Sequence, residues 1–379
     1  MTRGPGPDPA RPGGTGGAEE TGEVAHSIAA GGAVPDIRPM SRPPTLRDVA
    51  DSAGVHPATA SRALNPETRR LVNTDTAERV IRAAASLGYR PNPIARSLKT
   101  SRSTSVGLVI PDLTNPLFPP IVRGIEDVLG PAGYNAWIVN TDNDPDRERA
   151  QIESLRFRQV EGLIVATARL EHPFLEGLAA DGLPLVLVNR RTARGDIPSV
   201  TADDAAGVAL AMRHLVDLGH RRIAHLAGPQ DTSTGRTRAS TFRQALADHN
   251  LPDEPRLRVE CASWTEAAGA QGLRQLLDAG ADCTAILAGN DLIALGCYDG
   301  LAERGARCPD DISIVGFNDM PYADKLNPPL TTVRIPHYAI GVEGAQLLLD
   351  RLRGPHRHTR SVLLPLTLVV RGSTAPART

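Results

Sequence analysis

The sequence predicts an α/β protein in which a small helical head precedes a larger, two-lobed body built on parallel sheets. One observation is charge: residues 41–104 carry eleven Lys and Arg against five Asp and Glu, a net charge of +6, whereas residues 105–379 carry a net charge of −5. The other is a repeated alternation, in the body, of short apolar runs with amphipathic segments. That alternation is the pattern of parallel strands covered by helices on both faces.

Seven apolar runs mark the predicted strands, and each is followed by a turn signal and an amphipathic segment. They are VGLVIP (106–111), NAWIVN (135–140), GLIVA (162–166), PLVLVN (184–189), RIAHLAG (222–228), TAILAG (284–289) and ISIVGF (312–317). Seven such units are too many for one nucleotide-binding fold, so we expect two lobes with a ligand cleft between the carboxyl ends of their strands. The predicted body spans 105–375, with lobe 1 at 105–202 and 336–358 and lobe 2 at 203–333 and 361–375.

Composition argues against several classes of protein. No run of eighteen apolar residues is present, which argues against a membrane span. The N-terminal MTRGPGPDPARPGG lacks the apolar core of a secretory signal, so a cytoplasmic location is expected. Residues 1–44 contain nine Gly and eight Pro, and we expect a disordered tail over 1–43. The four cysteines show no CxxC spacing, which indicates reduced thiols and no metal site: Cys261, Cys283, Cys297 and Cys308.

Catalytic signatures are missing from the sequence as well. No GxGxxG, Walker A, HExxH or GxSxG arrangement is present. Asp203 and Asp204 stand at the start of a predicted helix, where capping explains them better than a pair of catalytic carboxylates. The His-Arg-His at 356–358 is assigned to a solvated turn rather than to a metal site. The sequence therefore predicts a binding protein that is not an enzyme and uses no cofactor.

The pattern of the basic head is typical of a helix-turn-helix. Thr45 can cap a helix that begins at Leu46, Gly54 supplies a turn that favours a positive φ, and Pro57 suits the first turn of a second helix over 57–65. The predicted inward positions are Leu46, Val49, Ala50 and Ala53, then Ala60, Ala63 and Leu64, then Ala77, Val80, Ile81, Ala84 and Leu87 of a third helix over 75–87. An ordinary helical hairpin is the alternative, and the basic excess favours DNA, with the second helix in the major groove.

Motifs at both ends of the chain occur in one characteristic order. They are TLRDVADSAGVHPATASRALN and LGYRPNPIARSLKTSRS in the head, and GLVIPDLTNPLF, HLVDLGHRRIAHLAGP, ILAGNDLIALG, DISIVGFND, PPLTTV and LVVRGSTAP in the body. Over about residues 44–375 the chain resembles the lactose-repressor (LacI/GalR) family of bacterial transcription regulators. The resemblance implies a periplasmic-binding-protein-like core, a homodimer, and binding of double-stranded operator DNA as a repressor controlled by a small molecule.

The resemblance assigns DNA contacts to the head, residues 44–91. The carried-over positions are Thr45, Pro57, Ala58, Thr59, Ser61, Arg62 and Asn65. Pro57, Ala58 and Arg62 take the base-reading positions, and the others suit the DNA backbone. Because Pro57 and Ala58 bring no donors, direct readout is expected to depend on Arg62, which can grip guanine O6 and N7, and on thymine methyl contacts. His56 replaces a common serine cap, and Ala60 is smaller than the usual branched residue.

Residues 92–104 resemble the hinge helix and linker of the family. The DNA-contacting positions carried over are Asn92, Ala95, Leu98 and Lys99. Leu98 matches an apolar wedge that enters the minor groove at the operator centre and kinks the DNA, and Lys99 can follow into the negative groove. On composition alone, packing of the linker would explain Leu98.

Seven residues of the body are expected to meet in the cleft. They are Asn115, Phe118, Asn189, Arg238, Trp264, Asn290 and Asn318. All but Trp264 are placed at or just after strand ends, where parallel sheets present ligands, and Arg238 is expected to open the helix after AGPQDTSTG. Each alone would be explained as a cap or a turn. The resemblance assigns these positions to the effector, and a tryptophan face suits the C–H surface of a sugar.

The expected effector is a sugar or sugar derivative, and a nucleobase or another metabolite stays open. Asn189 and Asn318 stand where many sugar-responsive relatives have aspartate, Ile335 where glutamine is common, and Thr241 where glycine is usual. A stand-alone sugar-binding protein would share the two lobes but needs no basic head. A sugar-modifying enzyme would need a catalytic acid and base in the cleft.

Two coupled sites define the expected mechanism. Ligand closes the lobes, which changes hinge folding and head placement across the dimer with a coupling free energy of about 1–3 kcal/mol. The sequence leaves open whether the ligand releases the operator or promotes binding. A dimer rather than a tetramer is expected, because no leucine heptad follows LVVRGSTAP.

Overall fold

A computed structural model of the protein describes residues 42–66, 68–90, 102–354 and 359–378. The chain forms two compact units, Met1–Pro91 and Asn92–Thr379. We call them the head and the body, and each is described by itself. Several predictions lie outside the described residues: the tail up to residue 41, the turn at 356–358, and the hinge positions Asn92, Ala95, Leu98 and Lys99.

The head is a bundle of short helices. Its elements are α1 (Leu46–Ser52), α2 (Pro57–Leu64), a 3₁₀ turn (Arg69–Leu71) and α3 (Thr74–Ser86). The buried core consists of small residues, which lets the three helices approach closely: Val49, Ala50, Ala53, Ala60, Ala63, Ala77, Val80, Ala83 and Ala84. Two predicted inward residues are wrong, because Ile81 is 37% exposed and Leu87 is 39% exposed. Because the alanine-rich core is narrow, only one face of α3 packs against it, and Ile81 and Leu87 lie off that face.

Side-chain caps define where the first two helices begin. The Thr45 hydroxyl accepts a hydrogen bond from the Asp48 amide at 3.4 Å, and the Asp48 carboxylate accepts one from the Thr45 amide at 2.6 Å. This reciprocal capping box confirms the predicted start of α1. Gly54 adopts a φ of +65°, as its place in the turn predicts. His56 takes over the role of the usual serine, because its Nδ1 accepts a hydrogen bond from the Ala58 amide at 3.2 Å.

Lobe 1 of the body is a six-stranded parallel sheet in the order β11-β5-β4-β3-β1-β2. Its strands are β1 (Ser105–Ile110), β2 (Asn135–Asn140), β3 (Gly162–Val165), β4 (Leu185–Val188), β5 (Ser199–Ala202) and β11 (Ser361–Leu364), and its helices are α4 (Phe118–Leu129), α5 (Pro145–Phe157), α6 (Pro173–Ala180) and α11 (His337–Arg353). Helices α4 and α11 touch at two glycines. A Cβ at Gly341 would lie 2.1 Å from the Ile121 carbonyl oxygen, and one at Gly124 would lie 2.3 Å from that of Tyr338.

Lobe 2 repeats the plan in the order β12-β10-β9-β8-β6-β7, with only β12 antiparallel to its neighbour. Its strands are β6 (Ile223–Ala227), β7 (Arg258–Glu260), β8 (Ala285–Ala288), β9 (Ser313–Asn318), β10 (Thr331–Arg334) and β12 (Thr367–Val369), and its helices are α7 (Asp204–Asp217), α8 (Ser233–Asp248), α9 (Glu266–Asp278) and α10 (Asp291–Glu303). The two parallel-sheet lobes confirm the predicted fold class, and all seven apolar runs are strands.

The chain crosses between the lobes three times, after β5, after β10 and between β11 and β12. The predicted boundary in the last crossing is wrong. Residues 361–364 pair in parallel with β5 and so belong to lobe 1, whereas 367–369 pair with β10 in lobe 2. A sequence pattern cannot assign an edge strand to a sheet, because the partner strand is more than 150 residues away.

Candidate functional site

The second helix of the head presents the predicted DNA-reading residues at its surface. Ala58 and Arg62 are exposed, and Pro57, Thr59 and Ser61 are half-buried. The Arg62 guanidinium has no hydrogen bond or ion pair to the described part of the head, so its donors face solvent. Asn65 caps the carboxyl end of α2, and its carbonyl accepts hydrogen bonds from the amides of Thr68 and Arg69. The Thr45 hydroxyl is committed to capping α1.

A cleft lies between the two lobes of the body, which is where two-lobed α/β proteins commonly bind small molecules. All seven residues predicted for the cleft line it: Asn115, Phe118, Asn189, Arg238, Trp264, Asn290 and Asn318. Eight further residues line the cleft and were not predicted from the sequence: Pro111, Asp112, Leu117, Asn143, Arg190, Thr234, Ser263 and Thr265. Half of them directly adjoin a predicted residue, which is the signal that could have found them: Leu117, Arg190, Ser263 and Thr265.

The asparagines of the cleft owe their places to turns and strand ends. Asn189 directly follows β4 with a φ of +66°, and Asn318 ends β9 with a φ of +126°. Asn115 accepts a hydrogen bond from the Leu117 amide at 3.0 Å, which shapes the loop before α4. Asparagine adopts a positive φ more readily than most residues, so the backbone conformation itself favours asparagine at positions 189 and 318.

Asn290 joins two walls of the cavity. Its Oδ1 accepts a hydrogen bond from the Ile293 amide at 2.8 Å and caps α10, while its Nδ2 donates to the Trp264 carbonyl at 3.3 Å. The Trp264 ring packs on Gly228, where a Cβ would lie 2.2 Å from the nearest ring carbon. The cap and the glycine together fix the position of the tryptophan.

Arg238 is buried in the wall that lobe 2 contributes to the cleft. It lies in the second turn of α8, which Thr232 caps, so the expectation that it opens the helix is wrong. Its Nε and Nη2 donate to the Asp204 carboxylate at 2.8 and 2.7 Å, and its Nη1 donates to the Gly289 carbonyl at 2.6 Å. Its guanidinium also lies 3.7 Å above the Phe317 ring. Most of its donors are therefore held by the protein.

Asp204 forms a buried ion pair with Arg238 that the sequence did not predict. Asp203 caps α7 as predicted, with its Oδ1 accepting from the Ala206 amide at 3.0 Å. Asp204 instead turns into the interior, and only 7% of it is exposed. Burial raises the pKa of Asp204, and the nearby Arg238 opposes that rise. Two adjacent aspartates give no sequence signal for which of them faces inward.

Three polar atoms of cleft residues have no hydrogen-bond partner in the described structure. They are Nε of Arg190, Nε1 of Trp264 and Oδ1 of Asn318. Buried donors and acceptors are rarely left unpaired in proteins, so the cleft is suited to a ligand that carries both kinds of group. Among the described residues no cluster of His, Cys, Asp and Glu could hold a metal ion, and no helix is long and apolar enough to cross a bilayer.

Three contacts connect the lobes at the mouth of the cleft. The Arg169 guanidinium lies 3.6 Å from the Asp231 carboxylate, and the Leu170 amide donates to the Asp231 carbonyl at 2.8 Å. The Arg191 amide donates to the Ser233 hydroxyl at 3.0 Å. We call this set the clasp. These contacts join the two lobes next to the cleft.

A helix-turn-helix head and a two-lobed body with a polar cleft define a DNA-binding regulator with a separate small-molecule site. The lacI family of bacterial regulatory proteins matches residues 45–92, and the periplasmic binding protein-like domain matches residues 212–374. The ribose operon repressor of Halalkalibacterium halodurans is 34% identical over 87% of this chain and 97% of its own length. The chain therefore belongs to the lacI family of bacterial regulatory proteins, which are DNA-binding transcription regulators and not enzymes.

Solved structures show the same likeness. A lac repressor dimer bound to operator and the anti-inducer ONPF matches with a TM-score of 0.78 and 28% identity, over 88% of this chain and all of that chain. A complex of the transcriptional regulator CelR with cellobiose matches with a TM-score of 0.67 and 30% identity, over 87% of this chain and 99% of that chain. These likenesses span both the head and the body.

Proposed function

We propose that the protein is a homodimeric repressor of transcription whose operator affinity is set by a sugar or sugar derivative bound between the lobes. The single observation that carries the effector site is the interlobe cleft, which is lined by an aromatic ring, a buried arginine and several amides and in which three buried polar atoms have no partner among the described residues. A tryptophan face and amide groups match the C–H and O–H surfaces of a sugar. The cellobiose complex and the ribose operon repressor among the similar proteins support this choice.

A nucleobase is the second candidate effector. Stacking on Trp264 would suit a flat base as well as a sugar face, and Asn189 and Asn318 carry both donors and acceptors, as base edges require.

In the proposed complex with DNA, α2 lies in the major groove and Arg62 reads guanine. Thr45, Thr59, Ser61 and Asn65 contact the DNA backbone, and Pro57 and Ala58 meet thymine methyls. The hinge segment folds on the operator with Leu98 as the central wedge, joined by Asn92, Ala95 and Lys99. The protein would act in the cytoplasm, on the nucleoid when bound to DNA.

The proposed coupling runs through closure of the lobes. Ligand that fills the cavity changes the balance between closed and open lobes, and thereby the separation of the two hinge segments across the dimer. A coupling of about 1–3 kcal/mol corresponds to a change of roughly 5- to 150-fold in operator affinity, and the operator must change ligand affinity by the same factor.

The test is operator binding by the full-length protein at several salt concentrations, with and without a panel of sugars and nucleosides. Binding should weaken steeply as salt rises, because phosphate neutralisation releases counterions. Arg62→Ala should lose about 1–3 kcal/mol of discrimination between operator and non-operator DNA. Arg243→Ala, at an exposed position in the body, is the control and should bind like the wild type. If Arg62→Ala discriminates between operator and non-operator DNA as well as the wild type does, Arg62 does not read bases. If no compound of the panel changes operator binding, the proposed effector site has no support.

A further inference from the structure

Asp291 is a fully buried carboxylate that lies next to the cleft without lining it. It begins α10, one residue after Asn290. Its Oδ2 accepts a hydrogen bond from the Met320 amide at 2.7 Å, and its Oδ1 accepts one from the Thr332 hydroxyl at 2.5 Å. Asp291 therefore connects the start of α10 to β10 and to the turn at the end of β9.

That turn, residues 318–320, has an unfavourable backbone, and we call it the β9 turn. Asn318 adopts a φ of +126° and Asp319 one of +55°. A φ of +126° lies well outside the left-handed helical region near +57°, so Asn318 is strained, and such strain persists only where surrounding contacts hold the backbone. Asp291 provides one of these contacts, because it accepts the hydrogen bond of the Met320 amide.

The Thr332 hydroxyl makes the hold of Asp291 on the turn depend on charge. This hydroxyl donates its one proton to the Asp291 carboxylate, and its oxygen accepts a hydrogen bond from the Asp319 amide at 3.3 Å. An ionised carboxylate only accepts hydrogen bonds, whereas a protonated one carries a donor that competes with the Thr332 hydroxyl and the Met320 amide. The charged form of Asp291 therefore holds two amides of the turn, one directly and one through Thr332.

Asn318 depends on this turn for its orientation. It lines the cleft, and its Oδ1 is buried without a hydrogen-bond partner among the described residues. Because no hydrogen bond holds that atom, the backbone of the β9 turn sets where the oxygen points. Asp291 can thus act on the cleft through Asn318 without touching a ligand.

The burial of Asp291 lowers the stability of the fold. Burial raises the pKa of Asp291 to about 6, although the hydrogen bonds from Thr332 and Met320 lower it. A carboxyl group whose pKa is raised on folding destabilises the folded state once it ionises. Groups that reduce stability beside a binding site are commonly retained for function.

The charged and titratable groups around Asp291 leave its charge uncompensated. Asp319, on the turn, raises the pKa of Asp291 further by its like charge, and it is itself paired with Arg334 at 2.6 Å and with Arg371 at 2.7 Å. Burial raises the pKa of Tyr298, on α10, so that group stays neutral. In the described part of the chain no cationic side chain forms an ion pair with Asp291, so pH sets its protonation.

We propose that Asp291 is a positioning residue: its charged form holds the β9 turn so that Asn318 presents its Oδ1 to the effector, and its protonation releases the turn. The inference rests on the proposed function, because it makes the response to the effector depend on pH through Asn318. The effector should bind more weakly as pH falls through about 6.

Hydrogen–deuterium exchange of the full-length protein measures the turn without any ligand. At about pH 7.5, Asp291→Asn should increase exchange of a peptide over 315–326 by about ten- to a hundredfold, the value of a hydrogen bond to a charged group. A peptide from α9, in the same lobe, should not change. Asp299→Ala removes an exposed charge from the same helix and should exchange like the wild type.

The pH profile separates positioning from a purely structural role. After correction for the intrinsic rate, exchange of the turn in the wild type should rise between about pH 7.5 and 5, with a midpoint near 6, whereas Asp291→Asn should show no such rise. The variant should unfold at the same or a higher temperature than the wild type at about pH 7.5, because a buried charge is gone. Equal exchange in the two proteins at both pH values would overturn the proposal, and so would a less stable variant whose α9 peptide also exchanges faster.

Thr332→Val is a second variant that leaves Asp291 charged. It removes the hydroxyl that links Asp291 to the Asp319 amide, so exchange of the turn should rise in this variant as well. An unchanged turn in Thr332→Val would count against the proposal.

Titration with ribose, the sugar named for the ribose operon repressor among the similar proteins, connects the turn to the cleft. At about pH 7.5, Asp291→Asn should bind ribose about tenfold more weakly than the wild type, while its salt-sensitive binding to DNA stays the same. Equal affinities for ribose would overturn the step from the turn to Asn318. The exchange measurements contain no sugar and decide the role of Asp291 even if the proposed effector class is wrong, so the two failures are distinguishable.

Discussion

At the scale of single residues, the cleft is organised by one buried ion pair. Arg238 and Asp204 are each under 10% exposed, and they connect α8 to α7 at the start of lobe 2. Breaking such a pair from one side leaves an uncompensated charge, which is costlier than removing both partners. Loss of ligand binding in a single variant of Arg238 would therefore mix two effects, contact with the ligand and stability of the lobe.

A double variant separates the two effects. Arg238→Met should cost about 3–5 kcal/mol in the free energy of unfolding, because the Asp204 carboxylate stays buried alone. Adding Asp204→Leu should recover most of that loss, since the second buried charge is removed. Chemical unfolding measures both, and titration with the active compound should show no recovery of effector binding. If Arg238→Met alone is as stable as the wild type, the pair does not hold the lobe together.

At the scale of elements, loops at the mouth of the cleft decide how firmly the lobes stay closed. The clasp joins the loop after β3 and the loop after β4 to the loop that leads into α8. The hydrogen bond to the Ser233 hydroxyl is sheltered, whereas the ion pair of Asp231 is exposed to solvent. An exposed pair contributes about 0.2–1 kcal/mol and a neutral hydrogen bond about 0.5–1.5 kcal/mol.

We expect Ser233→Ala to weaken effector binding by about two- to tenfold, because the closed lobes lose a direct hydrogen bond. Asp231→Ala should have a smaller effect that disappears at high salt. Small-angle scattering of the unliganded variants should show a larger radius of gyration as the lobes open. Glu303→Ala, which removes an exposed ion pair to Arg274 within lobe 2, is the control and should change neither quantity.

At the scale of the whole molecule, buried titratable groups make stability depend on pH. Burial lowers the pKa of His225 and of His337 to about 4, and burial raises the pKa of Asp291 to about 6. The histidines stabilise the fold above their ordinary pKa of 6.5, and that stabilisation is lost as pH falls toward 4. Asp291 acts in the opposite direction, since its burial costs stability as pH rises from about 4 through 6.

These three groups predict a net loss of stability in acid. Between about pH 6 and 4 the unfolded chain binds two more protons at the histidines and one fewer at Asp291. Together these three groups should contribute a fall in stability of roughly 1.4 kcal/mol per pH unit. His225→Phe keeps a ring stacked on Phe242, at 4.8 Å in the wild type, and should lower the slope by roughly 1.4 kcal/mol per pH unit, the contribution of one proton. Urea unfolding at several pH values measures it, and an unchanged slope in the variant would contradict the assignment.

Local signals in the sequence determined most of the strands, the helical head and several residues of the cleft. Apolar runs bounded by turn residues predicted seven strands, and the Thr45 cap and Gly54 turn defined the head. Strand-end positions, the tryptophan at 264 and the family resemblance together predicted seven residues that line the cleft. Five strands were not predicted: β5, β7, β10, β11 and β12. Each is three or four residues long, and a short strand without an apolar run cannot be recognised from the sequence pattern. The order of motifs along the chain by itself indicated the family.

Only the tertiary structure decided which of these residues work together. The pairing of Arg238 with Asp204 and the assignment of 361–364 to lobe 1 both depend on groups far apart in the chain. A sequence shows the type of each side chain and its local periodicity. Burial and charge compensation arise from packing between distant segments, and the chemistry of the cleft follows from them.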